Sequence, residues 1–279
     1  MHAGEPSDTA RGAAAYRAIH QTLEGGAIFR DPFAAKMLDD AARARLDETA
    51  TDASLRPMRL FIAARSRFSE DMLSACVERG VRQVVVLGAG LDTFSLRNPH
   101  AGLGVRVFEV DNQPTQSWKR ERLKQAGLAD PASLTFVPID FERQSLADGL
   151  AAAGFDVDRA AFFQWLGVVP YLTREAVSLT LDFIARIPDS EVVFDYGEPF
   201  ENYPADRRAD VIAIAARTAS RGEPWLSMFD PAELSEMLGK KGFQIIEDLG
   251  MAEITERLYG ALKKDIRTGP GAHLVRAQR

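Results

Sequence analysis

The stretch QVVVLGAGLDT, residues 83–93, determines the fold predicted for this chain. Residues 83–87 form a β-branched run without polar alternation, which is typical of a strand buried on both faces of a sheet. Gly88 and Gly90 follow directly, and glycines allow a tight turn in which a ligand can approach the backbone closely. The stretch therefore predicts a central parallel strand that ends in a ligand-binding turn.

Similar short apolar runs recur along the rest of the chain and alternate with helical patterns. The strand candidates are residues 105–110, 134–139, 160–165, 191–196, 243–249 and 272–276, and the helix candidates between them are residues 113–126, 174–187, 206–220 and 231–240. Alternating strands and helices indicate right-handed crossovers and a mainly parallel sheet with helices on both faces. The predicted class is therefore α/β with a Rossmann-like sheet.

The first eighty residues have a helical pattern. We expect helices over residues 10–23, from the Asp31-Pro32 pair toward Leu46, and over residues 55–79, with Gly80 as the final cap. This divides the chain into a helical extension at 1–80 and a sheet domain at 81–279. A long insertion at about 197–228 separates the fifth and sixth strand candidates, and both additions are candidate lids over the site.

Composition excludes several classes of function. Of the 279 residues, 46% are hydrophobic and 27% charged, as in ordinary globular proteins, and the net charge of -6 argues against general nucleic-acid binding. No apolar run approaches the roughly 20 residues of a membrane-spanning helix. The single cysteine, Cys76, excludes an internal disulfide and fits a reducing cytoplasm. The four histidines lack zinc-type spacing, so we expect no metal site.

Polar residues follow the strand candidates at the edge where such sheets bind ligands. Asp111 ends the second strand, 21 positions beyond Gly90, where an acid can accept hydrogen bonds from both ribose hydroxyls. Asp140 and Phe141 follow the third strand and suit an adenine amine and ring, and Gln164 lies near the end of the fourth. Glycine turns also arise for local reasons, and Asp111 could cap a helix, but the ordered set favours a nucleotide cofactor.

The turn does not have the dinucleotide pattern. A GxGxxG fingerprint needs a third glycine for close helix packing, and the turn Gly88-Ala89-Gly90 is followed by Phe94 near that position. Asp92 would also lie beside a pyrophosphate, which is an unfavourable contact between like charges. A cofactor with a cationic end and no phosphate fits better, and S-adenosylmethionine is such a molecule.

The residues quoted above also resemble the leucine carboxyl methyltransferase family, which includes bacterial tetracenomycin-type polyketide O-methyltransferases. The resemblance rests on residues 64–68 (ARSRF), 82–93, 107–111, 167–176, 193–196, 230–238 and 242–243, with Arg17 and residues 31–33, and it covers nearly the whole chain. It implies a class I methyltransferase sheet with an antiparallel C-terminal strand and S-adenosylmethionine as the cofactor.

By this resemblance, Arg65 would pair with the cofactor carboxylate, and Gly88 would line its methionine moiety. Asp111 would hold the ribose, and Asp140 with Phe141 would flank the adenine. The planar guanidinium of an arginine can grip a carboxylate with two hydrogen bonds. Without the family match Arg65 could equally be a solvated helix charge, and Arg67 is the alternative candidate.

The chain departs from the family at one position. The family often has a glutamate before the glycine that follows the fourth strand, whereas this chain has Leu166 before Gly167. If that glutamate holds the cofactor ammonium, the backbone carbonyl of Gln164 is the candidate to replace it. The departure weakens any expectation that the chain methylates the family's protein-carboxyl substrate.

The predicted function is O-methylation of a carboxylate or hydroxyl of a small molecule, in secondary metabolism. A carboxylate acceptor is already ionised at neutral pH, whereas a phenol usually needs a base. No residue stands out as that base, and His20 and Arg221 are weak candidates for catalytic roles. The alternatives are an NAD-linked oxidoreductase and a non-catalytic cofactor-binding regulator.

Overall fold

A computed structural model of the protein describes residues 7–139 and 144–279. Within these residues, seven strands form one sheet in the order β3-β2-β1-β4-β5-β7-β6. The strands are β1 (Gln83–Leu87), β2 (Arg106–Asp111), β3 (Leu134–Pro138), β4 (Ala161–Trp165), β5 (Glu191–Gly197), β6 (Ile245–Leu249) and β7 (Ala272–Gln278). The strand order reverses between β1 and β4, which places the switch point directly beside the glycine turn.

The strand directions match the prediction. β1 is parallel to β2 and to β4, β2 is parallel to β3, and β4 is parallel to β5. β7 is antiparallel to both of its neighbours, β5 and β6. The mainly parallel sheet with an antiparallel C-terminal strand is therefore confirmed. All five residues of β1 are buried, as expected for a central strand covered on both faces.

Eleven α-helices surround the sheet in the described part of the chain. They are α1 (Asp8–Leu23), α2 (Asp40–Ala44), α3 (Leu46–Thr51), α4 (Arg56–Glu78), α5 (Phe94–Arg97), α6 (Gln113–Gln125), α7 (Leu146–Ala152), α8 (Arg174–Ala185), α9 (Ala205–Ser220), α10 (Pro231–Lys240) and α11 (Met251–Leu258). No helix among these residues is long and apolar enough to cross a membrane.

The predicted helix from Asp31 toward Leu46 is wrong. The segment instead contains a short 3-10 turn, Ala34–Met37, and the separate helices α2 and α3. The Asp31 carboxylate is buried and receives a hydrogen bond of 2.8 Å from Arg17, so it is engaged in a tertiary ion pair instead of beginning a long helix. Asp39 supplies the cap of α2, accepting a hydrogen bond from the backbone N–H of Ala42.

Helix α4 packs directly on one face of the sheet. Its buried side chains, among them Leu60 and Phe68, share one apolar cluster with Val84 and Val86 of β1. Val85 belongs to a second cluster on the opposite face of the sheet. Helix α4 and the sheet thus contribute to the same core. The division of the chain near residue 80 into a helical extension and a sheet domain stays a prediction.

A buried polar cluster links β5, β6 and β7 near one edge of the sheet. His273 on β7 lies 2.7 Å from a carboxylate oxygen of Asp248 on β6 and 3.0 Å from one of Glu198, which follows β5. The Tyr196 hydroxyl donates a hydrogen bond of 2.6 Å to Asp248. Burial lowers the pKa of His273, but the two carboxylates outweigh it and raise the pKa overall. The cluster thus anchors the start of the 197–228 insertion to the sheet.

Candidate active site

The glycine turn lies at the end of β1, against the segment that follows β4. Gly88 has a φ of +63°, a left-handed conformation that side chains disfavour. A Cβ at this position would come within 2.4 Å of a methyl carbon of Val168. The backbone N–H of Ala89 donates a hydrogen bond of 3.0 Å to the carbonyl of Val110 at the end of β2. Only glycine therefore fits at position 88, where the turn packs against the segment that follows β4.

Asp111 reaches from β2 to the same turn. One of its oxygens accepts a hydrogen bond of 2.6 Å from the backbone N–H of Gly90, and the other accepts one of 2.7 Å from Asn112. Asn112, not Asp111, caps helix α6, through a hydrogen bond from the N–H of Thr115. Burial raises the pKa of Asp111, and the two backbone N–H groups oppose this rise. The cap interpretation of Asp111 is therefore wrong.

Arg65 approaches the turn from helix α4. Its guanidinium donates a hydrogen bond of 3.0 Å to Asp195 on β5, and the other oxygen of Asp195 accepts one of 2.6 Å from the N–H of Gly167. A Cβ at Gly167 would meet the guanidinium at 2.6 Å. The alternative, Arg67, is exposed and pairs with Asp71 on its own helix. Of the two arginines, only Arg65 contacts the segment after β4.

Gln164 lies under the turn and links three elements. Its side-chain oxygen accepts a hydrogen bond of 3.2 Å from Ser69 of α4, and its side-chain nitrogen donates one of 3.2 Å to Asp92. The other oxygen of Asp92 accepts from the N–H of Phe94. Leu166, at the position where the family often has an acid, packs against the apolar cluster beneath α4. Gln164 thus holds the loop after Gly90 in place.

A buried ion pair supports the base of the site. Lys119 of α6 donates a hydrogen bond of 2.6 Å to Glu109 of β2, whose other oxygen accepts one of 2.8 Å from Ser95 of α5. Both charged side chains are almost completely buried. Burial raises the pKa of Glu109, and Lys119 opposes the rise. The pair fixes α5 and α6 on β2 and so holds the glycine turn and Asp111 together.

Helix α1 crosses the glycine turn. Arg17 donates a hydrogen bond of 2.7 Å to the carbonyl of Leu91 and pairs with Asp31. A Cβ at Gly90 would come within 3.2 Å of the Ala10 side chain. The N–H of Thr9 donates a hydrogen bond of 3.2 Å to Glu223, which lies in the 197–228 insertion. The two candidate lids therefore touch each other beside the turn.

The two weak catalytic candidates lie in different surroundings. His20 is completely buried, with one ring nitrogen 3.0 Å from Glu24 and the other 3.2 Å from the N–H of Ile28. Burial lowers its pKa. With both nitrogens engaged, His20 holds the turn after α1 and has none free for an acceptor. Arg221 is exposed at the end of α9. Burial raises the pKa of Tyr16 on α1, and the charge of Arg221 opposes part of that rise.

Asp140 and Phe141, the predicted adenine contacts, lie outside the described residues. Two acids that sequence reasoning missed, Asp195 and Glu223, border the site; a lone acid in the apolar run VVFDYG was the signal available for Asp195. Among residues 7–139 and 144–279, no group of three or more His, Cys, Asp or Glu side chains could hold a metal ion.

Comparison with known proteins identifies the family. The model of the family described as leucine carboxyl methyltransferase matches residues 10–185, which include Arg65, the glycine turn, Asp111 and Gly167. The chain belongs to the leucine carboxyl methyltransferase family. S-adenosylmethionine is therefore its cofactor and methyl transfer its reaction, and an NAD-linked oxidoreductase is ruled out.

Two relatives of this methyltransferase share one description, which names S-adenosylmethionine as the cofactor. "Putative S-adenosyl-L-methionine-dependent methyltransferase YktD" of Bacillus subtilis is 34% identical over 216 residues, covering 77% of this chain and 71% of the relative. A relative of the same description from Mycobacterium avium is 32% identical over 241 residues, covering 80% and 76%. The crystal structure of a "putative methyltransferase" from Thermobifida fusca is 18% identical and aligns with a TM-score of 0.61. The alignment covers 99% of this chain and 96% of that one, and it shows that the two proteins share a fold.

Proposed function

We propose that this methyltransferase transfers the methyl group to an oxygen, a carboxylate or a hydroxyl, of a small molecule in secondary metabolism. The family match and the relatives give methyl transfer, and the oxygen acceptor is our inference from the resemblance to polyketide O-methyltransferases. A cytoplasmic location is part of the proposal and is supported by the single cysteine, Cys76, which is buried and unpaired.

The cofactor part of the proposal depends on Arg65 and Asp111, a cation and an acid near the carboxyl ends of the strands beside the glycine turn. We assign the terminal carboxylate of the cofactor to Arg65, its methionine moiety to residues 88–90 (Gly-Ala-Gly), and its ribose to Asp111. Close packing of Gly88 on Val168 and of Gly167 on Arg65 fixes the backbone and the guanidinium to which these contacts are assigned. Asp140, Phe141 and the backbone carbonyl of Gln164 keep their predicted roles as further contacts.

The chain's own contribution to the reaction is orientation and exclusion of water. The cofactor supplies an activated methyl group when it is bound. Alignment of the reacting groups alone can contribute roughly 7–11 kcal/mol, and a dry pocket favours a reaction in which opposite charges are neutralised. Helix α1 and the 197–228 insertion are the proposed lids, and their contact through Thr9 and Glu223 supports a shared closure.

The test uses two arginines on one helix. Arg65→Gln should weaken the binding of S-adenosylhomocysteine at least tenfold in calorimetry, because a charged hydrogen bond contributes about 1.5–3 kcal/mol. Arg67→Gln, whose side chain is exposed and paired with Asp71, should leave the affinity unchanged. Equal losses in the two variants would refute the assignment of Arg65.

The acceptor part has its own experiment. The wild-type protein is incubated with S-adenosylmethionine and a panel of small carboxylic acids and phenols, and release of S-adenosylhomocysteine is followed by mass spectrometry. Methyl esters or methyl ethers are the expected products. Methylation of nitrogen or carbon acceptors alone would overturn the proposal while leaving the methyltransferase family unaffected.

A further inference from the structure

Two arginines hold the backbone that leaves the glycine turn. The carbonyl of Leu91 accepts a hydrogen bond of 2.7 Å from Arg17 on α1. The hydroxyl of Thr93 accepts one of 3.0 Å from Arg97 on α5. Leu91 and Thr93 follow closely on Gly90, to which we assign part of the methionine moiety of the cofactor. The conformation of this proposed contact therefore depends on side chains outside the turn.

The two arginines are joined through acids in a buried chain of charges. Asp31 accepts a hydrogen bond of 2.8 Å from Arg17 and lies 3.7 Å from the guanidinium of Arg97. Arg97 donates two further hydrogen bonds, of 2.9 Å and 2.6 Å, to Glu70 on α4. Burial would raise the pKa of Asp31, but the two arginines outweigh it and lower the pKa. The chain of charges therefore connects α1, α4 and α5 behind the turn.

A single guanidinium makes both contacts of Arg17. Its Nε donates to Asp31, and its Nη2 donates to the carbonyl of Leu91. Because the guanidinium is planar and rigid, the bond to Asp31 fixes the direction in which Nη2 points. The side chains of Arg17 and Asp31 are 7% and 0% exposed, so water does not readily replace either bond. Arg17 thus holds the turn in one position.

A second buried ion pair of the same region does not reach the turn. Arg59 of α4 donates three hydrogen bonds, of 2.7 to 3.1 Å, to Glu24 just after α1. Its side chain is 4% exposed, close to the value of Arg17. Among the described residues, Glu24 is the only hydrogen-bond partner of the Arg59 side chain. Both pairs anchor the helical extension, but only that of Arg17 contacts the backbone after Gly90.

We propose that Arg17 is a positioning residue for the cofactor: it holds the Leu91 carbonyl, and through it the glycine turn, in the conformation that binds S-adenosylmethionine. The helical extension is therefore a working part of the cofactor site, in addition to its proposed role as a lid. The inference rests on the proposed function, because it assumes that residues 88–90 contact the methionine moiety.

The experiment compares two variants that each leave a buried acid without its arginine. Arg17→Met should weaken the binding of S-adenosylhomocysteine by about tenfold or more, as occurs when a supporting group behind a metal ligand is removed. Arg59→Met should leave the affinity close to that of the wild type. Calorimetry measures the affinities, and urea unfolding shows whether the two variants lose similar stability. Equal losses of affinity in the two variants would overturn the inference.

A double variant separates positioning from stability. Arg17→Met/Asp31→Asn removes the unpaired charge as well, and replacing both partners of a buried ion pair often restores stability. The hydrogen bond to Leu91 remains absent. The urea midpoint should therefore return toward that of the wild type while the affinity stays low. If affinity recovers together with stability, Arg17 acts through stability alone and the inference is wrong. The double variant also provides the test if Arg17→Met by itself does not fold.

Arg65→Gln distinguishes a failure of this inference from a failure of the proposed cofactor site. If the wild type does not bind S-adenosylhomocysteine, or if Arg65→Gln binds it as tightly as the wild type, the proposed cofactor contacts fail. If Arg65→Gln weakens binding and Arg17→Met does not, only the positioning role of Arg17 fails.

Discussion

Replacing Gly167 by alanine tests the junction between the segment after β4 and Arg65. Gly167 has a φ of +72°, and a Cβ there would lie 2.6 Å and 2.8 Å from the two terminal nitrogens of Arg65. The guanidinium must therefore move away from the segment after β4. That movement breaks its hydrogen bond to Asp195 and shifts the group to which we assign the cofactor carboxylate.

The expected loss of stability in Gly167→Ala has two parts. The left-handed backbone conformation costs an alanine about 1–2 kcal/mol, and the lost charged hydrogen bond costs about 1.5–3 kcal/mol. The free energy of unfolding should therefore fall by roughly 2.5–5 kcal/mol. Cofactor affinity should fall by about 10- to 150-fold if one charged hydrogen bond to the ligand is lost.

A second glycine provides the matched control. Gly104 has a φ of +75°, and a Cβ there would have no neighbour within 4 Å. Gly104→Ala should therefore lose only the backbone share of stability and retain full affinity for S-adenosylhomocysteine. Urea unfolding measures the stabilities and calorimetry measures the affinities. If Gly167→Ala binds the ligand as tightly as Gly104→Ala does, Arg65 does not hold the cofactor.

Three other perturbations test the supporting structure. Asp111→Asn should weaken S-adenosylhomocysteine binding by about 1–3 kcal/mol, and wild-type affinity should decline as pH falls through the raised pKa of Asp111, a decline that calorimetry should not find in the variant. Lys119→Met leaves Glu109 buried without its partner and should cost about 3–5 kcal/mol in urea unfolding, whereas adding Glu109→Leu should recover most of the loss. The pKa of His273 is raised in the folded state. Such a histidine stabilises the folded state fully below the unfolded pKa of about 6.5, and the stabilisation is lost as pH rises through the folded pKa. The free energy of unfolding of the wild type should therefore fall from pH 6 to pH 9 relative to that of His273→Gln. Equal pH dependence in those two proteins would show that the cluster holds no extra proton.

The sheet was predictable because each strand carries its own signal. A β-branched run such as residues 83–87 has to be buried on both faces wherever the chain places it, and the observed β1 has the predicted bounds. Short helices were less accessible. Helix α11, Met251–Leu258, has eight residues, which is less than the window over which helical periodicity becomes distinct. The break between residues 31 and 46 depends on the ion pair of Asp31 with Arg17, a tertiary contact.

The residues of the site likewise divide into those that local sequence predicts and those that depend on tertiary contacts. Gly88, Gly90 and Asp111 follow strands directly, so the topology alone brings them to one edge. Asp195 contacts Arg65 across 130 positions of sequence, and Glu223 contacts Thr9 across 214. Such pairings follow from how α1, α4 and the insertion pack, and local sequence does not encode them. The assignment of Arg65 stays a prediction that comes from the family resemblance, because a helical arginine alone has no feature that distinguishes it from a surface charge.

The most direct measurement is a crystal structure of the protein with S-adenosylhomocysteine. We predict that the ribose hydroxyls lie within hydrogen-bond distance of the Asp111 carboxylate and that the terminal carboxylate of the ligand lies against the Arg65 guanidinium. An adenosine bound away from the carboxyl ends of β1 and β2, or a ligand that touches neither Asp111 nor Arg65, would contradict the account.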